Sequence, residues 1–198
     1  MEQKQRIFTV QNLSLMAVLV AMQVILSRFA GIQINEGLRV SFESIPILLA
    51  GLWMGPVSGM IVAAVADILG TLLSGYGVYF PLLTIGPMLL AAIAGLSARL
   101  LPEDGIWARK HIGIYFVLIL LAECITSLFY GTWALTLYYS IIVGKEMPFL
   151  VLLAARVPTK LVTMAVDAFL TFVIYRAVYR PIVRKMLHRD THKQEENA

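Results

Sequence analysis

Six apolar runs, at about 8–27, 42–53, 57–73, 80–100, 112–139 and 149–175, leave this chain few choices of backbone. Inside hydrocarbon no water is present to bond N–H and C=O groups, so a crossing segment must close its hydrogen bonds within itself or in a sealed barrel. Five of the runs hold 17 to 28 residues, which is right for helices crossing a core of about 30 Å. The run at 42–53 is short. Turn-forming residues separate the runs: Gly31, Gly37, the Gly55-Pro56 pair, Gly75 and Gly77, Pro81, Pro102 with Gly105, and Gly144 with Pro148. Hydrophobic residues make up 59% of the 198, charged ones only 14%, and the mean hydropathy is +0.80, far from a water-soluble domain. The expected fold is an all-α integral membrane bundle of six transmembrane helices filling 1–198 as one unit, with 176–198 a basic tail.

The charges report topology. With six spans both termini share a side, which collects Lys4, Arg6, Arg99, Arg109, Lys110, Arg176, Arg180, Arg184, Lys185, Arg189 and Lys193. The other side holds Arg28, Arg39 and Lys145. Both termini are therefore expected in the cytoplasm. The net charge of +4 sits at segment ends and in the tail, so it argues for membrane orientation and not for a nucleic-acid partner. Lys4 and Arg6 precede the first run without a clean cleavage site, which reads as a retained helix. The one cysteine, Cys124, reads as a small core residue.

Two cations break the pattern, because Arg156 and Lys160 lie inside the sixth run. At about 100° per residue, Lys160 falls roughly 40° round the helix from Arg156, with Thr163 and Asp167 each within roughly 20°. All four share one stripe. A charge facing lipid at mid-membrane costs at least about 2.5–3.5 kcal/mol, so the stripe must face protein, water or ligand.

Other polar residues gather on the same outward side. The first connection, RFAGIQINEGLRVSFE, ends in Arg39-Val40-Ser41-Phe42 and supplies a cation, a hydroxyl and a ring together. Asp67 lies mid-span on a face of small residues, Gly59, Ala63, Gly70 and Ser74, pointing into a helix contact or a cavity. It has two uses: pairing Arg156 or Lys160, or accepting N–H donors from a ligand. Glu123 reads as a helix-pairing group. Tyr79 and Phe80 are placed to wall a pocket, whereas Tyr138 and Tyr139, with Trp133, read as an interfacial belt. Ala17 and Ala21 form a small-xxx-small pair on the first helix. The chain has no GxxxxGK[ST] phosphate loop, no HExxH and no Cys/His cluster, so neither ATP hydrolysis by that loop nor metal chemistry is expected of it. No convincing inverted repeat suggests a complete secondary transporter.

The stretch LRVSFESIPILLAGLWMGPVSGMIVAAVADILG, followed by Gly77–Pro81 and by Ala154-Ala155-Arg156, resembles the substrate-binding S components of energy-coupling factor (ECF) transporters, and among them the folate (FolT) branch. The resemblance runs from about 13 to 175. It implies a multi-pass protein of the bacterial plasma membrane that binds a vitamin at its outward end. It further implies docking on a transmembrane coupling subunit through Ala17 and Ala21, with ATP used by two partner ATPases and no cofactor on this chain. Related sequences often carry a proline in the arginine motif of the last span, where this chain has Ala154-Ala155.

Folate suits the residues. Its glutamate tail carries two carboxylates for Arg39, Arg156 and Lys160; its rings can stack on Phe42, Tyr79 and Phe80; and its pterin offers a paired donor edge to Asp67. Pantothenate or a deazapurine precursor of queuosine would also use cations and aromatics. The readings from other classes are an intramembrane enzyme using Glu123 or Asp67 as acid or base, for which no nucleophile or metal is in view, and a purely structural membrane subunit.

Overall fold

A computed structural model describes residues 10–29, 32–35, 38–40, 42–74, 79–100 and 109–178. Outside the described residues lie the start of the first run, Gly31, Gly37, Ser41, Gly75, Tyr76, Gly77, Pro102, Gly105 and the tail from 179. The helices are α1 (Val10–Phe29), α2 (Ser44–Met54), α3 (Pro56–Ser74), α4 (Pro81–Leu100), α5 (Arg109–Glu123), α6 (Gly131–Tyr138) and α7 (Phe149–Val178). Among the described residues five stretches are long and apolar enough to cross a membrane; α2 is a shorter apolar helix.

That short helix organises the bundle. With no polar face to offer water, an all-apolar helix has to be enclosed, and every residue from Ile45 to Trp53 is buried among α1, α3, α4 and α7. Its 11 residues span only about 16 Å, so it is the short member of the bundle, enclosed by longer helices. Gly55 then reverses the chain at φ 85°, a conformation that side-chain-bearing residues resist. Pro56 opens α3 at a position where a missing N–H does no harm.

Bare backbone lets α2, α3 and α4 approach closely. A β-carbon on Gly51 would run into the Ala91 carbonyl and Gly95, and one on Gly59 would lie 2.9 Å from the Gly51 backbone. One on Gly95 would strike Pro56 and Gly55. With lipid tails as apolar as leucine, such close contact is what holds membrane helices together. Large side chains elsewhere, among them Leu72, Leu73, Val18 and Leu150, point outward and are exposed, as lipid-facing groups must be.

Two departures from the sequence expectation shape the site. The connection after α1 is not plain loop: β1 (Ile32–Asn35) and β2 (Leu38–Val40) pair antiparallel, Gln33 opposite Arg39, with a register shift before Asn35. The fifth run, expected as one α-helix ending near 139, continues to Val143 and widens twice into π-helix, at Cys124–Tyr130 and Tyr139–Val143. Such widened turns in a helix are frequently found at functional sites.

Candidate functional site

Polar side chains meet across helices in two places, between α3 and the start of α4 and between α6 and the first turns of α7, against which β2 packs. Asp67, a little under two turns from the end of α3, is held by α4. The Thr84 hydroxyl lies 2.6 Å from Asp67 Oδ2 and 2.9 Å from the Tyr79 hydroxyl. A hydroxyl has one proton to give. Thr84 therefore donates to the carboxylate and accepts from Tyr79, so the relay runs Tyr79 to Thr84 to Asp67. Among the described residues the hydrogen-bond partner of Asp67 is thus a neutral hydroxyl, which leaves the carboxylate further acceptor capacity.

Arg156 enters from α7 two turns below its start. Its Nη1 donates to the Thr132 hydroxyl at 3.0 Å, and its guanidinium lies against Gly131, where a β-carbon would stand 3.9 Å from both Nη1 and Nη2. Tyr139 stands within its electrostatic reach. The partner that α6 supplies is thus uncharged.

Aromatic rings join the residues just before α4 to the end of α6. Phe80 meets Tyr138 edge to face at 5.9 Å, and Tyr138 meets Tyr139 in the same way. Phe80, Tyr138 and Tyr139 thus form one row of rings, and Tyr139 lies within the field of Arg156. Tyr130 donates to the Leu82 carbonyl at 3.0 Å and packs on Trp133, tying the first π-helical segment to α4. Phe42 is half-buried and packs against the core beside α2.

Deeper along α7, the stripe behaves as its periodicity requires. Thr163 and Asp167 are buried and Lys160 is half-buried. Lys160 stands in the field of Glu43, Glu123 and Asp167, and Asp167 takes a hydrogen bond from Ser44. Glu123 is 2% and Asp167 1% exposed, and among the described residues Glu123 Oε1 and Asp167 Oδ1 have no hydrogen-bond partner. Lys160 is thus framed by protein carboxyl groups, whereas among the described residues Arg156 has Thr132 and Tyr139 beside it.

Of the remaining sequence candidates, Arg39 sits on β2, which packs against α7; its side chain, like that of Arg28, lies outside the described residues. Ala17 and Ala21 are exposed and line an open apolar groove of about 600 Å³ between α1 and α3, with Val20, Val24, Ile61 and Val65. Thr84, Thr132, Tyr130, Ser44 and Glu43 were not singled out by sequence. Among the described residues no group of three or more His, Cys, Asp or Glu is placed to hold a metal ion.

Comparison with known proteins fits this geometry. The family model for the ECF transporter, substrate-specific component, matches residues 11–175. The chain belongs to that family. It is a multi-pass membrane protein of the bacterial cell membrane. This S component is 26% identical over 165 residues to the folate transporter FolT of Clostridium novyi, covering 83% of this chain and 88% of that one. It is 26% identical over 159 residues to FolT of Leuconostoc mesenteroides, covering 80% of each. A crystal structure of FolT bound with folic acid superposes with a TM-score of 0.64 at 25% identity, over 83% of this chain and 92% of that one. A bacterial ECF transporter S component shares the fold at 22% identity and a TM-score of 0.59, over 83% and 93%.

Proposed function

We propose that Asp67, Phe80, Tyr138 and Arg156 wall a chamber in which this S component binds folate, which it then passes inward while docked on a coupling subunit driven by two ATPases. The observation that carries the reading is Arg156: an intramembrane guanidinium offered only a neutral hydroxyl by α6 has donor capacity left for an anion. Folate brings two carboxylates. Its pterin edge has adjacent N–H donors suited to a carboxylate that the Tyr79–Thr84 relay keeps as an acceptor, and its flat rings suit the Phe80–Tyr138 wall. Arg39 on the neighbouring strand is the second cation for the glutamate tail, and Lys160 adds positive potential from below. The lysine and arginine distribution supports cytoplasmic termini, which turns the chamber outward. The likeness to FolT proteins supports the choice of folate over pantothenate or a deazapurine.

Mass spectrometry of the protein purified in detergent tests the substrate. Folate should co-purify or bind when added at micromolar concentration. Recovering none, with no binding of added folate, removes the substrate claim.

The groove beneath Ala17 and Ala21 is the proposed seat of the coupling subunit, because small residues let another helix come close. Ala17→Trp and Ala21→Trp should each leave folate affinity within about twofold of wild type, since they lie away from the chamber, while abolishing co-purification with the coupling subunit. Intact assembly in both variants would make the pair ordinary packing.

A further inference from the structure

Arg156 is useful as an anion receptor only if its guanidinium is held in one orientation, since a free arginine gives up much rotamer freedom on binding. The first π-helical segment supplies the means. At its end the Gly131 N–H reaches back to the Thr126 carbonyl, five residues earlier, and also to Leu128. The widened turn resets the register of α6, and Thr132 comes to face inward, 0% exposed. Its hydroxyl takes the Nη1 proton of Arg156 at 3.0 Å, while its own carbonyl accepts from Thr136 at 2.9 Å. Beside it, Gly131 presents bare backbone to both terminal nitrogens of the guanidinium. One edge is bonded and one face is supported.

We propose that Gly131 and Thr132 form a cradle that positions Arg156, leaving the other edge of its fork for a planar two-oxygen anion. Thr132 is thus a positioning residue that acts through Arg156. A carboxylate fits that fork, and a neutral ligand end would not engage it. The inference rests on the reading that Arg156 meets the ligand's anionic tail.

Its test is a double-mutant cycle on the purified full chain, with two probes: folate and 6-hydroxymethylpterin, which lacks any carboxylate. Thr132→Val should weaken folate by about tenfold, the loss of one hydrogen bond to a charged group. Thr132→Ser should restore it to within about threefold. In the presence of Arg156→Lys, Thr132→Val should cost less than about twofold more, because residues acting as one unit are not additive. Binding of the pterin probe should not change. Should Thr132→Val not purify as a single species, Thr132→Ala removes the same hydroxyl and is read in the same way. Folate affinity unchanged by removal of the hydroxyl would overturn the cradle. So would an undiminished loss in the Arg156→Lys background, or equal weakening of both probes, since either marks plain packing. If the wild-type chain binds no folate at all, the ligand reading falls first and the cradle falls with it; a binding wild type with an indifferent Thr132 sinks the cradle alone.

Discussion

Arg156→Ala should lower folate affinity by about 2–5 kcal/mol, roughly 30-fold to several thousand-fold, measured by calorimetric or fluorescence titration of the protein in detergent. The size reflects where the guanidinium sits. It is half-buried on α7 and bonded to Thr132; in a site closed from bulk water, losing it strands a ligand carboxylate without its counter-charge. Arg156→Lys should fall between wild type and alanine, because an ammonium keeps the charge and loses the two-pronged geometry. Thermal stability of both variants without ligand should stay close to wild type, as α6 offers a hydroxyl and not a buried carboxylate that would be left alone. A variant that lost folding and kept affinity in its surviving fraction would move Arg156 from recognition to structure.

The largest effect on the fold should come from Gly51→Val. A β-carbon there already meets the Ala91 carbonyl, with Ala94 Cβ and the Gly95 nitrogen each at 3.1 Å. Two of those neighbours are backbone and cannot swing aside as a side-chain tip can. Overpacking a tight core costs about 1–3 kcal/mol and occasionally more, and here it would push apart the helices that enclose α2. The variant should lose its single elution peak in detergent or melt well below wild type. Gly113→Ala is the control, since nothing lies within 4 Å of the position a β-carbon would take there, and it should melt as wild type does. Equal melting of Gly51→Val and wild type would contradict the close three-helix contact.

The polar stripe of α7 was legible because periodicity and cost dictate it. Charges at four-residue spacing in an apolar run must share a face, and that face cannot be lipid. Thr163 and Asp167 are buried accordingly. Asp67 was legible for the same reason, as was the short second helix from the length of its run. Its partner was not. Threonines inside apolar helices commonly bond their own backbone, as Thr126 does to the Ala122 carbonyl and Thr163 to that of Thr159. Nothing in the sequence around Thr84 or Thr132 marks either as the one that reaches across to another helix. Fine aromatic geometry was hidden likewise, since Tyr138 has the composition of a membrane-interface anchor and only the approach of Phe80 gives it a wall to complete.

The two structural surprises differ in kind. Alternating residues in Ile32–Asn35, followed by Gly37 and then Leu38–Val40, carried a readable hairpin signal. The π-helical turns carried no such signal. Cys124–Tyr130 has the same apolar make-up as the α-helical stretches beside it, and the widening ends at Gly131 and Thr132, which face Arg156.

The central claim, that the intramembrane guanidinium is there for a ligand's negative charge, meets its most direct test in one paired titration. The wild-type protein is titrated with folate and with its α,γ-dimethyl ester, which keeps the rings and the donor edge but carries no carboxylate. Folate is expected to bind at least about 100-fold more tightly than the diester, the loss of charge-assisted bonds to the tail. Equal affinity for the two would mean that Arg156 serves the protein and not the ligand.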